Sequence, residues 1–161
     1  MSETPISLLE LLRRLENILR PGAIAAVDHD AGKVRVVSGS ITTNWLPWFE
    51  RRAGNVRTWC PPSVGEQCLV LSPGGDLSSG MVLVGLNSES HPAPSDSPSL
   101  NRIEFPDDAV IDYDHASHTL TFNVAHVRIN GKSLTHNDIN IGATHVHSDV
   151  MSGLSNTGAP Q

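Results

Sequence analysis

The sequence predicts an all-β protein with one N-terminal helix and a C-terminal strand-rich segment that assembles with identical copies. Three observations support this fold class. Apolar residues recur at helical spacing only over residues 5–20. From residue 23 onward the apolar period becomes two, and turn residues separate the short runs, as is typical of small barrels. The strand-rich segment near the C-terminus has too few apolar groups to form a core alone.

Residues 1–21 contain the predicted helix, which spans residues 5–20. Thr4-Pro5 fits an N-cap followed by proline at the first helical position, and Ser7 and Glu10 offer a capping box slightly later. Arg20-Pro21-Gly22 ends the helix. Two roles are equally open for its wide apolar stripe: packing on the following domain, or docking to a partner or to sister chains. The stripe comprises Leu8, Leu11, Leu12, Leu15, Ile18 and Leu19.

Residues 22–87 are predicted to form a small barrel of the OB type. Several short apolar runs alternate with turn signals, and no second helix interrupts them. The candidate strands are residues 24–27, 33–37, 41–48, 57–60, 66–71 and 81–86.

An OB barrel makes binding of single-stranded nucleic acid an alternative function. The net charge is −6, with 11 Lys and Arg against 17 Asp and Glu, and no basic cluster exceeds Arg51-Arg52 or Arg13-Arg14. Since a phosphate backbone needs a positive surface, this composition disfavours nucleic acid as a partner. Four aromatic residues could stack on bases, although packing in the core and rim is the commoner role. They are Trp45, Trp48, Phe49 and Trp59.

A linker and a predicted shaft follow the barrel. Residues 88–101 contain three prolines and five serines, a composition that favours extended backbone. Residues 102–142 include two alternating strands, 110–113 and 118–124, and a turn signal at Asn130-Gly131. Because this segment cannot bury enough surface alone, we expect three copies to intertwine into a β-helical shaft. The residues predicted to point inward from the second strand are Leu120, Phe122 and Val124.

Residues 143–161 contain the most informative pattern of the chain, two histidines separated by one residue. In an extended backbone, His145 and His147 point to the same side. If three copies met on an axis, six imidazoles would converge, a ligand set that suits an octahedral first-row metal such as Fe(II). Ni, Co or Zn could also occupy nitrogen ligands. The alternative interpretation is a disordered tail that happens to contain histidines.

The lack of recognised catalytic motifs in the sequence predicts a protein that is not an enzyme. The signatures G-x-S-x-G, Walker loop, H-E-x-x-H and Cys-x-x-Cys are absent. A metal-dependent hydrolase is the weaker alternative, because it needs a carboxylate ligand and an open coordination site, and only Asp149 lies near the histidine pair. Cys60 and Cys68 are interpreted as reduced, buried thiols. The histidines interpreted as exposed or without a special role are His29, His91, His115, His118, His126 and His136.

Four stretches resemble the phage baseplate assembly protein V family, the central tail spikes of contractile-tailed phages and R-type bacteriocins. Residues 62–76 with 80–86 are similar to the last hairpin of that family's OB domain, and residues 105–114 to its first strand after the linker. Residues 145–147 and 156–161 are similar to its apex. The four stretches in this order are more specific than any one of them.

The resemblance implies a homotrimeric spike with an intertwined β-helical shaft and a metal-bound apex. It implies one iron ion shared by three chains through His145 and His147, and it is compatible with additional ions on the axis. The implied partners are the baseplate hub and tail tube proteins, and the implied target is the host outer membrane, which the spike punctures when the sheath contracts. We expect the protein in the tail baseplate of the virion, after assembly in the host cytoplasm. The resemblance leaves phage and bacteriocin particles equally open.

Overall fold

The computed structural model describes residues 6–142 and 145, and the chain divides into two units, Met1–Pro98 and Ser99–Gln161. The all-β class with one N-terminal helix is confirmed, because the described residues form antiparallel sheets and one α-helix. The intertwined β-helix and the metal-bound apex stay predictions. None of the helices in the described ranges is long and apolar enough to cross a membrane.

The first unit contains the helix and six strands. They are α1 (Leu8–Ile18), β1 (Leu19–Asp28), β2 (Lys33–Ser38), β3 (Ile41–Thr42), β4 (Leu46–Pro47), β5 (Gln67–Leu71) and β6 (Met81–Leu86).

The six strands form one antiparallel sheet that closes on itself. β1 lies between β2 and β5, β6 follows β5, and both β3 and β4 pair with β2. A parallel bridge joins Trp48, directly after β4, to Val82 of β6. The backbone N–H of Phe49 donates to the Val82 carbonyl at 2.9 Å. These contacts bring the last strand back to the first strands and complete a barrel.

Alternation along the strands supplies the barrel core. In β2, Val34 and Val36 are fully buried while the residues between and beside them are more exposed, as expected for a strand with one buried face. β5 shows the same pattern with Cys68 and Val70. The remaining buried apolar residues of the core are Ile24, Leu46 and Val82.

Two strand predictions in the barrel were wrong. Residues 41–48 form two short strands rather than one, because Thr43 bonds to β2 through its side chain: its hydroxyl accepts from the Val36 N–H at 3.0 Å. Residues 57–60 form no strand. Their polar groups bond instead to the Glu50 carboxylate, which accepts from the Thr58 hydroxyl and from the Cys60 N–H, both at 2.8 Å.

The helix is shorter than predicted, and the later of its two predicted caps is the one observed. Ser7 is the N-cap, and its hydroxyl accepts from the Glu10 N–H at 3.2 Å. The helix ends at Ile18 and not at Pro21, because the chain already pairs with β5 at Leu19. Tertiary pairing therefore replaces the last predicted helical turn.

The second unit contains five strands in its described part. They are β7 (Leu100–Glu104), β8 (Val110–Asp114), β9 (Thr119–Asn123), β10 (Thr135–His136) and β11 (Ile139–Asn140). β7, β8 and β9 form a three-stranded antiparallel sheet, and β10 and β11 form a hairpin.

Two details of the second unit differ from the sequence prediction. Residues 105–114 are not one strand, since a turn with Asp108 at a φ of 62° precedes β8, and β7 already precedes that turn. The predicted turn at Asn130-Gly131 lies outside any strand pair. The β10–β11 hairpin turns instead at Asn137-Asp138, whose φ angles of 47° and 64° suit a tight hairpin turn.

Candidate functional site

His145 is the predicted metal ligand that the structure describes. Its side chain is exposed, and its Nδ1 lies 2.7 Å from the Gly142 carbonyl oxygen. Because a carbonyl oxygen only accepts hydrogen bonds, this contact places the proton on Nδ1, and the lone pair of the neutral ring is then on Nε2. Metal-binding histidines are commonly oriented in this way, by an Nδ1–H bond to a backbone carbonyl.

The other proposed ligands, His147 and Asp149, lie outside the described residues, so the histidine pair stays a prediction. Within residues 6–142 and 145, no three His, Cys, Asp or Glu side chains come together as a group that could hold a metal ion. An imidazole with its lone pair on Nε2 fits the donor chemistry of a first-row metal. Of the two predicted histidine ligands, the structure therefore describes one, His145, with its ring orientation fixed by the Gly142 carbonyl.

The β7–β8–β9 sheet has two chemically different faces. On one face, Arg102 lies opposite Asp112. On the other face, Ile103, Ile111 and Phe122 stand in one cross-strand row. Tyr113 and Leu120 form the neighbouring row of this face. We call the set Ile103, Ile111, Tyr113, Leu120 and Phe122 the apolar sheet face.

The apolar sheet face is largely exposed: Ile111 is half-buried and its other four residues are exposed. Leu120 and Phe122 share this face, as predicted, but they remain 57% and 53% exposed. Among the described residues of the second unit, no hydrophobic side chain is buried. An exposed apolar surface of this kind is a candidate contact surface.

The helix contacts the barrel through its polar side. Asn17 is buried, and its Nδ2 donates to the Gly75 carbonyl at 3.4 Å while its Oδ1 accepts from Arg20 at 2.8 Å. The backbone of Arg14 approaches Gly75 so closely that a Cβ at Gly75 would overlap it. The sequence did not mark Asn17, because one polar residue in an amphipathic helix is normally solvent-facing.

The apolar residues of α1 point away from these contacts and are exposed. Their exposed fractions run from 38% at Ile18 to 79% at Leu9. Of the two roles left open for the stripe, these exposures disfavour packing on the following domain, and docking to another chain stays open. We call the set Leu8, Leu11, Leu12, Leu15 and Ile18 the apolar helix face.

A contact between two aromatic side chains helps to hold the loop after β4. The Trp48 and Trp59 ring centroids lie 5.5 Å apart, and Trp48 Nε1 donates to Glu50 at 3.1 Å. The N–H of Cys60 is the largest cause that keeps the pKa of Glu50 below its ordinary value, and the hydroxyl of Thr58 adds to it. Trp48 thus packs at the rim of the core, the role favoured by the sequence. No motif in the sequence distinguished Glu50 from other surface carboxylates.

The two cysteines have different environments. Cys68 is buried in β5, and desolvation raises the pKa of its thiol to about 11, with a smaller contribution from Glu66. Cys60 is exposed, so the expectation of a buried thiol was wrong there. It lies in the loop that Glu50 orders, and not in a strand.

The six other histidines are all exposed, as predicted for His29, His91, His126 and His136.

The barrel has a recognisable family. Residues 20–86 match the Type VI secretion system/phage-baseplate injector OB domain. This range runs from the second residue of β1 to the last residue of β6. Over 118 residues the chain is 46% identical to the Spike protein of Escherichia phage P2. The chain belongs to the phage baseplate spike family. The predicted family and the OB assignment of the barrel are thereby confirmed.

Membership of the baseplate spike family places the protein in the tail baseplate of the virion, as predicted. The matched segment is 73% of this chain but 56% of the phage P2 protein, so the chain spans little more than half of that relative's length. The family match does not favour the nucleic-acid alternative.

Proposed function

We propose that this baseplate protein is the cell-puncturing spike itself, a homotrimer without enzymatic activity whose tip is joined by a metal ion. One observation carries the proposal: the apolar sheet face is exposed, and no hydrophobic side chain is buried in the described part of the second unit. Such a segment needs a partner to form a core. A closed assembly of identical chains supplies the same apolar face from every copy.

Three intertwined copies would convert the exposed faces into one shared core. Each chain would contribute one wall, with Phe122 and Leu120 facing the interior. The opposite face, with Arg102 and Asp112, would remain towards solvent. A core shared between chains resists loss of any single strand, because each strand is held by contacts with neighbouring chains as well as by its own sheet. This property suits a needle that bears load along its axis.

His145 and His147 of each copy are the proposed ligands of the ion at the tip. Iron is the proposed metal, one ion for three chains, and its coordination bonds would join the chain ends that otherwise fray most easily. The bond from His145 Nδ1–H to the Gly142 carbonyl leaves Nε2 as the nitrogen that can bind metal. A site filled by imidazoles leaves no open position for a substrate, so we propose no metal-dependent hydrolysis.

The proposed partners are the baseplate hub and the tail tube proteins, with the host outer membrane as the target. Contraction of the sheath would drive the tube and the spike against the membrane. The chain is 46% identical to the Spike protein of Escherichia phage P2, and that name supports the role of a spike.

The decisive experiment combines the mass in solution with elemental analysis of the same purified sample. Light scattering should give three times the chain mass of 17.3 kDa, and the metal content should be one iron per three chains. A metal-free monomer at micromolar concentration would falsify both the shared core and the shared site. A trimer without metal would overturn the tip assignment while retaining the shared core.

A further inference from the structure

The apolar helix face belongs to a helix that could not hold its shape alone. α1 has 11 residues, which is too short for a stable isolated helix in water. The barrel holds it through Asn17 and through the close approach of Arg14 to Gly75. Its own domain therefore uses the polar side of the helix and presents the apolar side outward in a fixed orientation.

The apolar residues of α1 follow a heptad pattern. Leu8 and Leu15 fall at the a positions, and Leu11 and Ile18 fall at the d positions. Leu12 lies beside this seam at an e position and widens the apolar face. Leucine at a with isoleucine at d favours three or four strands over two, and the second heptad has this combination.

The charges beside the seam neutralise one another within one chain. Glu10 accepts hydrogen bonds from Arg13 at 2.8 Å and from Arg14 at 2.7 Å. These arginines, Arg13 first, lower the pKa of Glu10 to about 2, so the carboxylate stays charged in this network. The apolar helix face itself carries no charge. Nothing on it selects a partner of opposite charge, and an identical copy offers a matching surface.

The exposed area is large enough for a specific contact. A stable interface buries roughly 800 Å² on each partner. The five residues of the apolar helix face and the flanking Ile6 and Leu19 are 38% to 72% exposed, and together they offer an area of about that order. In a trimer each helix would contact two neighbouring helices, one on each flank of this surface.

We infer that the α1 helices of three copies pack against one another as a parallel bundle through the apolar helix face. Cyclic symmetry makes equivalent helices run in the same direction along the axis, as a parallel bundle requires. The inference rests on the proposed homotrimer, but it uses neither the shaft nor the metal. It gives the assembly a second association site, at the opposite end of the chain from the histidines.

Disulfide cross-linking of the full chain tests this contact. In a Cys60→Ser background, which removes the exposed native thiol, Leu15→Cys places a thiol in the seam. Leu9→Cys is the matched control, because Leu9 is 79% exposed on the same helix but lies at a b position away from the seam. The mass of each reduced variant is measured first. We expect each reduced variant to be a trimer. On oxidation, disulfide-linked dimers should form about tenfold faster for Leu15→Cys than for Leu9→Cys.

Each outcome separates this inference from the proposed function. A trimer in which Leu15→Cys and Leu9→Cys cross-link equally slowly overturns the helix bundle and leaves the spike proposal in place, and the apolar helix face then belongs to a different tail protein. A monomer overturns both. Leu11→Cys, at the neighbouring seam position, should repeat the fast reaction of Leu15→Cys, and a slow reaction there counts against the bundle.

Discussion

Arg102 and Asp112 form two parallel hydrogen bonds across β7 and β8, from Nε to Oδ1 at 2.9 Å and from Nη2 to Oδ2 at 2.8 Å. They are direct partners in the strand register, on the face opposite the apolar sheet face. A bidentate pair of this kind fixes geometry as well as adding energy. It therefore helps to specify the strand register of the second unit. The described part of that unit contains no buried hydrophobic side chain that could do so.

This pair makes the second unit sensitive to acid. Arg102 holds the pKa of Asp112 below its ordinary value of 3.8. A carboxylate with a lowered pKa in the folded state stabilises the protein above its ordinary pKa, and this contribution is lost as the pH falls through the folded pKa. Arg102→Met should therefore lower the melting temperature at pH 7 and reduce the further decrease between pH 7 and pH 3. Asp96→Asn, an exposed linker carboxylate, should leave both values unchanged. An unaltered pH dependence in Arg102→Met would contradict this assignment.

Phe122 should be needed for assembly. If three copies share a core, Phe122→Ala removes a buried aromatic ring from each chain, at a cost of about 3 kcal/mol or more per chain. Sedimentation over a range of concentrations should show dissociation of the variant where the unmodified chain remains a trimer. Thr121→Ser changes the neighbouring residue on the opposite face and serves as the control. Equal association of Phe122→Ala and the unmodified chain would reject the apolar sheet face as the contact.

Replacement of both His145 and His147 by alanine should remove the metal and retain the trimer. The proposed shared core lies elsewhere in the chain, so the expected loss is in the stability of the tip, seen as a lower melting temperature and greater proteolysis of the C-terminus. His136→Ala, a change at an exposed histidine of β10, should keep one metal per three chains. The ligand assignment fails if the double variant still contains its metal.

Gly75 should tolerate no side chain. Its φ of 73° costs a non-glycine residue about 1–2 kcal/mol, and a Cβ would also overlap the backbone of Arg14. Gly32 has a similar φ of 62°, and a Cβ added there would meet nothing within 4 Å, so Gly32→Ala measures the backbone cost alone. Gly75→Ala should be less stable than Gly32→Ala by a further 1–3 kcal/mol, roughly the cost of overpacking. Faster hydrogen exchange over residues 8–18 should accompany it, and equal stabilities would argue against the tight helix contact.

The two thiols should react differently in the native protein. Cys60 is exposed, while Cys68 is buried and the pKa of its thiol is raised to about 11. A thiol reagent at pH 8 should therefore modify one cysteine per native chain and two in denaturant, because the thiolate is the reactive form. Peptide mapping should locate the native modification at Cys60. Fast labelling of Cys68 without denaturant would show that the barrel opens readily.

Local patterns predicted the elements whose shape depends on neighbouring residues. The Ser7 cap needs only the helix that follows it, and the alternation in β5, β6, β8 and β9 needs only a sheet with two different faces. The loop between β4 and β5 could not be predicted in this way. There, the Glu50 carboxylate accepts a hydrogen bond from the backbone N–H of Cys60, ten positions away. The Glu50 side chain thus supplies the hydrogen-bond acceptor that a neighbouring strand would otherwise supply.

By itself, the sequence determined the fold class, the order of the main elements, the family and the spacing of the histidine pair. Only the tertiary structure decided which side of the helix meets the barrel. Periodicity shows that a stripe of leucines must be buried, but it does not show against what, because burial is equally favourable within a chain and between chains. Asn17 and Gly75, 58 residues apart, bring the polar side inward. That contact leaves the leucines of the apolar helix face exposed.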